Sequence, residues 1–269
     1  RSGLVVIDVS DPTNPGTPIY EDTTDFAIDV YVSGDYAYVA DVWTGLAVID
    51  VSDPTNPGTP VYEATTGDAY SVYLSGDYAY VADYDSGLAV IDVSDPTNPG
   101  TPVYEDTTGL AYGVYVSGDY AYLADGYSGL AVIDISDPTN PGTPVYEDTN
   151  DFACGVYVSG DYAYVADYDS GLAVIDISDP TNPGTPVYED TTGNAFGVYV
   201  SGDYAYVADD ISGLAVIDIS EPIDPGTPVY EDTTGNAFGV YVNGDYAYVA
   251  DLSSGLAVID ISDPTNPGT

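Results

Sequence analysis

Forty-five acidic side chains against one basic one give this 269-residue chain a net charge of −44, which repels phosphate backbones and anionic lipid and excludes nucleic acid and membrane surfaces as partners. An apolar fraction of 44% argues for a folded core rather than disorder, and no apolar run is long enough for a membrane span. With no His, no Lys and a single Cys154, nucleophile–base pairs, Schiff-base chemistry and a disulfide framework are out of reach, and no enzymatic activity is expected.

From the N-terminus, the first apolar run is "GLVVID" at 3–8. The turn-rich "SDPTNPGT" at 10–17 and a short run around Pro18 to Glu21 follow. A longer pattern then begins at residue 25 and recurs with a period of 42, which the glycines before "LAVID" mark at Gly45, Gly87, Gly129, Gly171, Gly213 and Gly255. In the copy starting at residue 67, four strands are expected: Ala69 to Leu74, Tyr78 to Ala82, Leu88 to Val93 and Pro102 to Glu105. Each is rich in Val, Ile and Tyr and is bounded by Gly, Asp, Asn or Pro. The links "SGD", "DYDSG", "SDPTNPGT" and "DTTG" supply turn residues, and no helical window occurs.

Four short antiparallel strands in each repeat predict an all-β fold, a six-bladed β-propeller built from 42-residue four-stranded repeats. The ring is expected to close by joining N- and C-terminal strands. A parallel β-solenoid is the rival, although its coils usually use shorter repeats. Residues 1–269 read as one domain. Its repeat units are 25–66, 67–108, 109–150, 151–192 and 193–234, and the last blade is shared between 235–269 and 1–24. Tyr recurs four times per unit and small Ala residues lie between, so a bulky face on one blade can pack against a small-residue face on the next.

The string "GLAVIDISDPTNPGTPVYEDT", preceded by "VYVSGDYAYVAD", resembles the LVIVD-repeat β-propellers of bacteria and archaea, and the resemblance runs through essentially the whole chain. It implies a secreted or surface-exposed propeller and no particular chemistry. The absence of Met reads as a processed product or a piece of a longer chain. An extracellular or cell-surface location fits the charge, which Ca²⁺ or high monovalent salt would screen.

Differences between copies gather in two links, the entry to the first strand and the link between the second and third strands. Because strand direction alternates, both lie on one face of the disc. "SGD" and "SDPTNPGT", which scarcely change, lie on the other. Phe26, Trp43, Tyr70, Tyr84, Tyr112, Tyr127 and Tyr168 are therefore a candidate contact face for a glycan or peptide, or else sit on loops that tolerate drift. Asp41, Asp83, Asp125, Asp167, Asp209 and Asp251 end the second strand in every copy. Asp83 with Asp85, Asp167 with Asp169, and Asp209 with Asp210 are carboxylate pairs that a cation could use. An Asp repeated in all six blades is better explained as a cap for loop amides.

The third strand occurs seven times and the others six times each, one more than six blades need. Val5 stands where the other copies have Ala, which favours Leu256 to Ile261 over the N-terminal copy in the last blade. The expected register is three C-terminal strands completed by the strand near Pro18 to Glu21. Leu4, Val5, Val6, Ile7 and Val9 would be left as an assembly strand for another molecule. The first functional reading is therefore a non-enzymatic structural or assembly protein that associates with itself. The alternative is a binding module acting through the variable face.

Overall fold

The computed structural model describes residues 3–268; Arg1, Ser2 and Thr269 lie outside the described residues. Every regular element is a strand, and among the described residues no helix is long and apolar enough to cross a membrane. Besides a two-stranded hairpin, the sheets are the blades of a six-bladed β-propeller. The chain divides into two compact units, residues 1–125 with 132–144, and 126–131 with 145–269.

The first unit opens with a hairpin of β1 (Gly3–Val6) and β2 (Ile19–Asp22). The first blade follows as β3 (Ala27–Ser33), β4 (Tyr36–Asp41), β5 (Gly45–Asp50) and β6 (Val61–Glu63). The second is β7 (Ser71–Ser75), β8 (Tyr78–Ala82), β9 (Leu88–Asp92) and β10 (Val103–Glu105). The third sheet comprises β11 (Gly113–Ser117), β12 (Tyr120–Ala124), β13 (Leu130–Asp134) and β14 (Val145–Glu147). In the second unit, the fourth blade is β15 (Gly155–Ser159), β16 (Tyr162–Ala166), β17 (Leu172–Asp176) and β18 (Val187–Glu189). The fifth is β19 (Gly197–Ser201), β20 (Tyr204–Ala208), β21 (Leu214–Asp218) and β22 (Val229–Glu231). The sixth has three strands, β23 (Ala237–Asn243), β24 (Tyr246–Asp251) and β25 (Gly255–Asp260). Consecutive strands pair antiparallel within each blade, Tyr80 for example facing Tyr73 on one side and Val90 on the other.

Alternation along "YAYVA" sends Tyr80 and Ala82 to one side of its sheet and Ala79 and Val81 to the other. Both sides are buried, because a blade is covered by a neighbour on each face. Between the first two blades, Tyr38, Ala40, Leu46 and Val48 pack onto Ala69, Ala79, Val81, Ala89 and Ile91. The fourth and fifth blades repeat this with Tyr164, Leu172 and Val174 against Ala205, Ala215 and Ile217. Large side chains thus meet alanines across these seams, as the composition suggests. Each fully buried Leu or Ile contributes about 1.5–3 kcal/mol. The inner strands carry a tyrosine ladder. Its ring centroids are 4.9 Å apart for Tyr31–Tyr73 and 4.6 Å for Tyr73–Tyr115. Tyr157–Tyr199 stand at 4.7 Å and Tyr199–Tyr241 at 5.1 Å.

The terminal strands differ from the expected register. Gly3–Val6 is not left alone: it pairs along its length with β2, Leu4 opposite Glu21 and Val6 opposite Ile19. Leu4 is buried against Ala37, Val39, Ala47 and Ile49 of the first blade, with Val6 packed beside it. Ile7 and Val9 fall outside the strand, in the link. The physical reason is loop closure. The link folds on itself through Gly16 N–H donating to Asp8 O at 2.7 Å and Ser10 N–H donating to Asp8 Oδ1 at 2.9 Å. A partner from the far end of the chain would close a roughly twentyfold longer loop, at about 2–3 kcal/mol more. The overpacking argument also fails, since Val5 is 45% exposed.

Two surfaces remain uncovered as a result. On β3, Val30 and Val32 are 46% and 59% exposed, whereas their second-blade counterparts Val72 and Leu74 are 3% and 8% exposed. The hairpin is only two strands wide and brings no inner strand to cover them. In the sixth blade, Tyr248, Leu256 and Val258 are half-buried and Ala250 is exposed, at positions sealed in the other blades.

Candidate functional site

The two variable links meet in the structure. In the second blade the β8–β9 link is a tight turn, with Ser86 N–H donating to Asp83 O at 2.9 Å. Tyr84 sits there in the left-handed region at φ 48°, Tyr168 and Asp210 adopting the same conformation at 45° and 48°. A side chain in that region costs about 1–2 kcal/mol. The cost is offset because the turn aims its backbone at the next blade. Ala111 N–H donates to Tyr84 O at 2.9 Å and Tyr84 N–H to Ala111 O at 3.2 Å. The same bridge joins Val42 to Ala69, Gly126 to Ala153, Tyr168 to Ala195 and Asp210 to Ala237. The 2–3 links of the first five blades are thus stitched to the first-strand entry of the following blade. This places both variable segments at one end of the blades, as strand alternation predicts.

The candidate aromatic residues fall into local clusters. Phe26 and Trp43 meet edge to face at 6.2 Å. Tyr70, Tyr84 and Tyr112 form a triplet with centroids 4.7–5.5 Å apart. Tyr127 meets Phe152 at 4.8 Å. Tyr168 packs on Phe196 at 5.6 Å, and Phe196 stacks on Phe238 at 4.3 Å. Their exposure differs: Trp43 and Tyr127 are 69% and 78% exposed, while Tyr70, Tyr84, Tyr112 and Tyr168 are half-buried by their own contacts. Ile211 at 69% and Leu252 at 75% lie on the same type of link but are not aromatic, which is why a search for aromatic anchors passes over them. Aligning the copies would have found them, because Ile211 shares a repeat position with Trp43 and Tyr127, and Leu252 shares one with Tyr84 and Tyr168.

The Asp that ends the second strand is a clamp in four blades, through Asp41, Asp125, Asp167 and Asp209, whereas Asp83 and Asp251 accept only the amide of Gly67 and Gly235 and leave Oδ1 buried without a partner. Asp125 is buried, accepting from Thr107 Oγ1 at 2.6 Å and from Gly109 N–H at 2.9 Å. Asp209 does the same with Thr191 at 2.6 Å and Gly193 at 2.9 Å. Each clamp therefore holds the link that enters its own blade. Only glycine fits closely there: a Cβ on Gly109 would stand 1.9 Å from Asp125 O. Where Asp25 and Asp151 replace that glycine, the amide bonds lengthen to 3.2 and 3.1 Å. Burial pushes the carboxyls of Asp83, Asp125, Asp167 and Asp209 above the usual 3.8, and the clamp hydrogen bonds pull the other way. The threonine partners were not singled out from the sequence, although "DTT" recurs with the Asp.

The carboxylate pairs are split by this arrangement. Asp83 turns inward to Gly67 N–H at 2.8 Å while Asp85 stands exposed at the tip, and Asp167 and Asp169 part the same way. Asp209 serves its clamp, and Asp210 accepts from Asn236 Nδ2 of the next blade. Among the described residues no group of three or more His, Cys, Asp or Glu is placed to hold one metal ion. Cys154 donates to Phe152 O at 3.4 Å, and burial pushes its thiol up to about 12, which makes it a packing residue rather than a nucleophile. Asp29, at the head of the first inner strand, ties two blades by accepting from Ser71 Oγ at 2.8 Å and Val72 N–H at 3.0 Å.

A family model described as LVIVD repeat matches residues 1–18, 26–60, 66–102, 108–144, 152–186, 192–227 and 234–269. No curated protein matches the sequence significantly. Among solved structures, the RRP9 WD40 repeats are similar at TM-score 0.72 and 10% identity, covering 92% of this chain and 80% of that one. The Cps50 (Swd1) β-propeller domain of Myceliophteria thermophila gives 0.70 and 11%, covering 92% and 86%. The computationally designed Ika8 protein gives 0.68 and 9%, covering 88% and 72%. At these identities the likeness carries the fold alone.

Proposed function

The chain belongs to the LVIVD-repeat family of β-propellers, and on that footing we propose that it is a non-enzymatic interaction scaffold that holds a partner at the variable end of its blades. One observation carries this reading. Among the described residues, six large apolar side chains outside the strands are exposed, and five of them, Phe26, Trp43, Tyr127, Ile211 and Leu252, lie on the two variable links. Exposed apolar groups concentrated on the variable links of a chain with net charge −44 are suited to contact. The experiment is a peptide and glycan array read with the intact chain and with Trp43→Ala/Tyr127→Ala. Features lost in the double variant but kept by Asp119→Asn, on the opposite "SGD" link, support the reading. An identical array pattern for all three proteins overturns it.

Self-assembly is a second reading, favoured by a different observation. The sixth blade has three strands, and its Tyr248, Ala250, Leu256 and Val258 are uncovered where equivalent residues are sealed. A second copy would supply the same face chemistry that covers the inner blades. Light scattering and electron microscopy at molar salt test it: ordered polymers support assembly, and a strict monomer at high concentration rules it out. The charge also motivates a cation-rich, extracellular setting, which fractionation of the source cells would check.

A further inference from the structure

The tyrosine ladder on the inner strands carries chemistry that the variable links do not. In the second unit, Tyr157, Tyr199 and Tyr241 stand at the same place in β15, β19 and β23, each 42 residues from the next. Their ring centroids are 4.7 and 5.1 Å apart in turn, near the short end of the range of about 4.5–7 Å for aromatic pairs. The hydroxyl of Tyr199 hydrogen-bonds with those of both neighbours. An outer-strand tyrosine behaves differently: Tyr230 accepts from the backbone, from Thr192 N–H at 3.1 Å. Hydroxyls that meet bring together the ortho carbons beside them, and those carbons share the unpaired electron once a phenol has lost an electron and a proton. Packing holds the rings in place, Tyr157 against the seam of the fourth and fifth blades and Tyr199 against that of the fifth and sixth. Tyr241 is 57% exposed, which opens the row to a small oxidant, and a net charge of −44 concentrates a cationic one at the surface.

We propose that Tyr157, Tyr199 and Tyr241 form an oxidative cross-linking site, where a cationic one-electron oxidant joins Tyr199 to one neighbour through an ortho carbon–carbon bond and so rivets adjacent blades. Two oxidising equivalents remove one electron from each of two phenols, and the two phenolic protons go to water. The phenoxyl radicals combine at their ortho carbons. Each ortho hydrogen then passes to the oxygen of its own ring, so both rings regain their aromaticity and their hydroxyls. The joined pair is two hydrogens lighter, and the oxidant has gained two electrons.

The test is brief photo-oxidation of the full chain at low concentration by tris(bipyridyl)ruthenium(II), with persulfate as the final electron acceptor. Glu189 and Glu231 separate the three tyrosines, so cleavage after glutamate followed by mass spectrometry reports each joined pair of fragments, two hydrogens lighter than their sum. Joined Tyr157–Tyr199 and Tyr199–Tyr241 fragments are expected, and Tyr199→Phe should abolish both. That variant keeps the ring, and melting curves check that it folds. Tyr127→Phe removes a tyrosine that is 78% exposed and should leave the yield unchanged. The cross-linked chain should melt about 5–15 °C higher, because the bond closes a loop of about 42 residues. Cross-links formed only between chains overturn the inference, as do the same joined fragments at undiminished yield in Tyr199→Phe. Oxidation that stops at hydroxylated Tyr or at Trp43, with no joined fragments, overturns it as well.

Discussion

Asp125→Ala removes the one acceptor shared by Thr107 Oγ1 at 2.6 Å and Gly109 N–H at 2.9 Å. Two donors are left without a partner, at about 1–3 kcal/mol each. Against that stands relief from burying a charge, visible in the raised pKa of Asp125. The net expectation is a loss of about 2–4 kcal/mol, which in a protein of this size lowers Tm by about 4–16 °C. Asp125→Asn is the informative control. Its amide oxygen still accepts from Gly109, and its NH₂ donates to the Thr107 hydroxyl, so about 1 kcal/mol or less is lost. Thermal melts followed by circular dichroism compare the two variants with the parent chain. A Tm for Asp125→Ala within about 1 °C of the parent would refute the clamp. Equal losses in both variants would show instead that the carboxylate charge matters and that the hydrogen-bond geometry does not.

Acidity should act in two directions. Asp83, Asp125, Asp167 and Asp209 have folded pKa values above 3.8, so the stability gained by protonating them is fully present below 3.8 and lost as pH rises through the raised values. Asp50, Asp92, Asp134, Asp176, Asp218 and Asp260 are held below 3.8 by hydrogen bonds from the serine two residues on, so their contribution is present above 3.8 and lost as pH falls through the lowered values. Tm should therefore climb as pH falls from neutral toward 3.8 and decline below it, and a monotonic fall from neutral pH would contradict this assignment. Salt should stabilise: with net charge −44, shrinking the screening length from about 30 Å at 0.01 M to about 3 Å at 1 M relieves self-repulsion, and a Tm unchanged between the two would contradict it.

The repeat and its physics were legible in the sequence. The unbroken apolar run "YAYVA" between turn residues reads as a strand, and the strand Tyr78–Ala82 lies where that run and its flanking turn residues put it. Antiparallel order within a blade follows from links too short for a crossover, which also put both variable links at one end. Asp125 could be read as a cap, because a feature present once per blade serves the blade. What it caps could not be read, since Thr107 and Gly109 lie 18 and 16 residues upstream and meet it only when the entry link folds over the second strand. The ends of the chain were decided by tertiary structure alone. Seven near-identical third strands offer degenerate partners, so local sequence cannot rank them. Short-loop closure and the burial of Leu4 against the first blade chose β2 for β1. Exposure was decided in the same way: Val30 and Val72 occupy the same place in a repeat, and only the presence of an inner strand beside Val72 makes one a core residue and leaves the other in water.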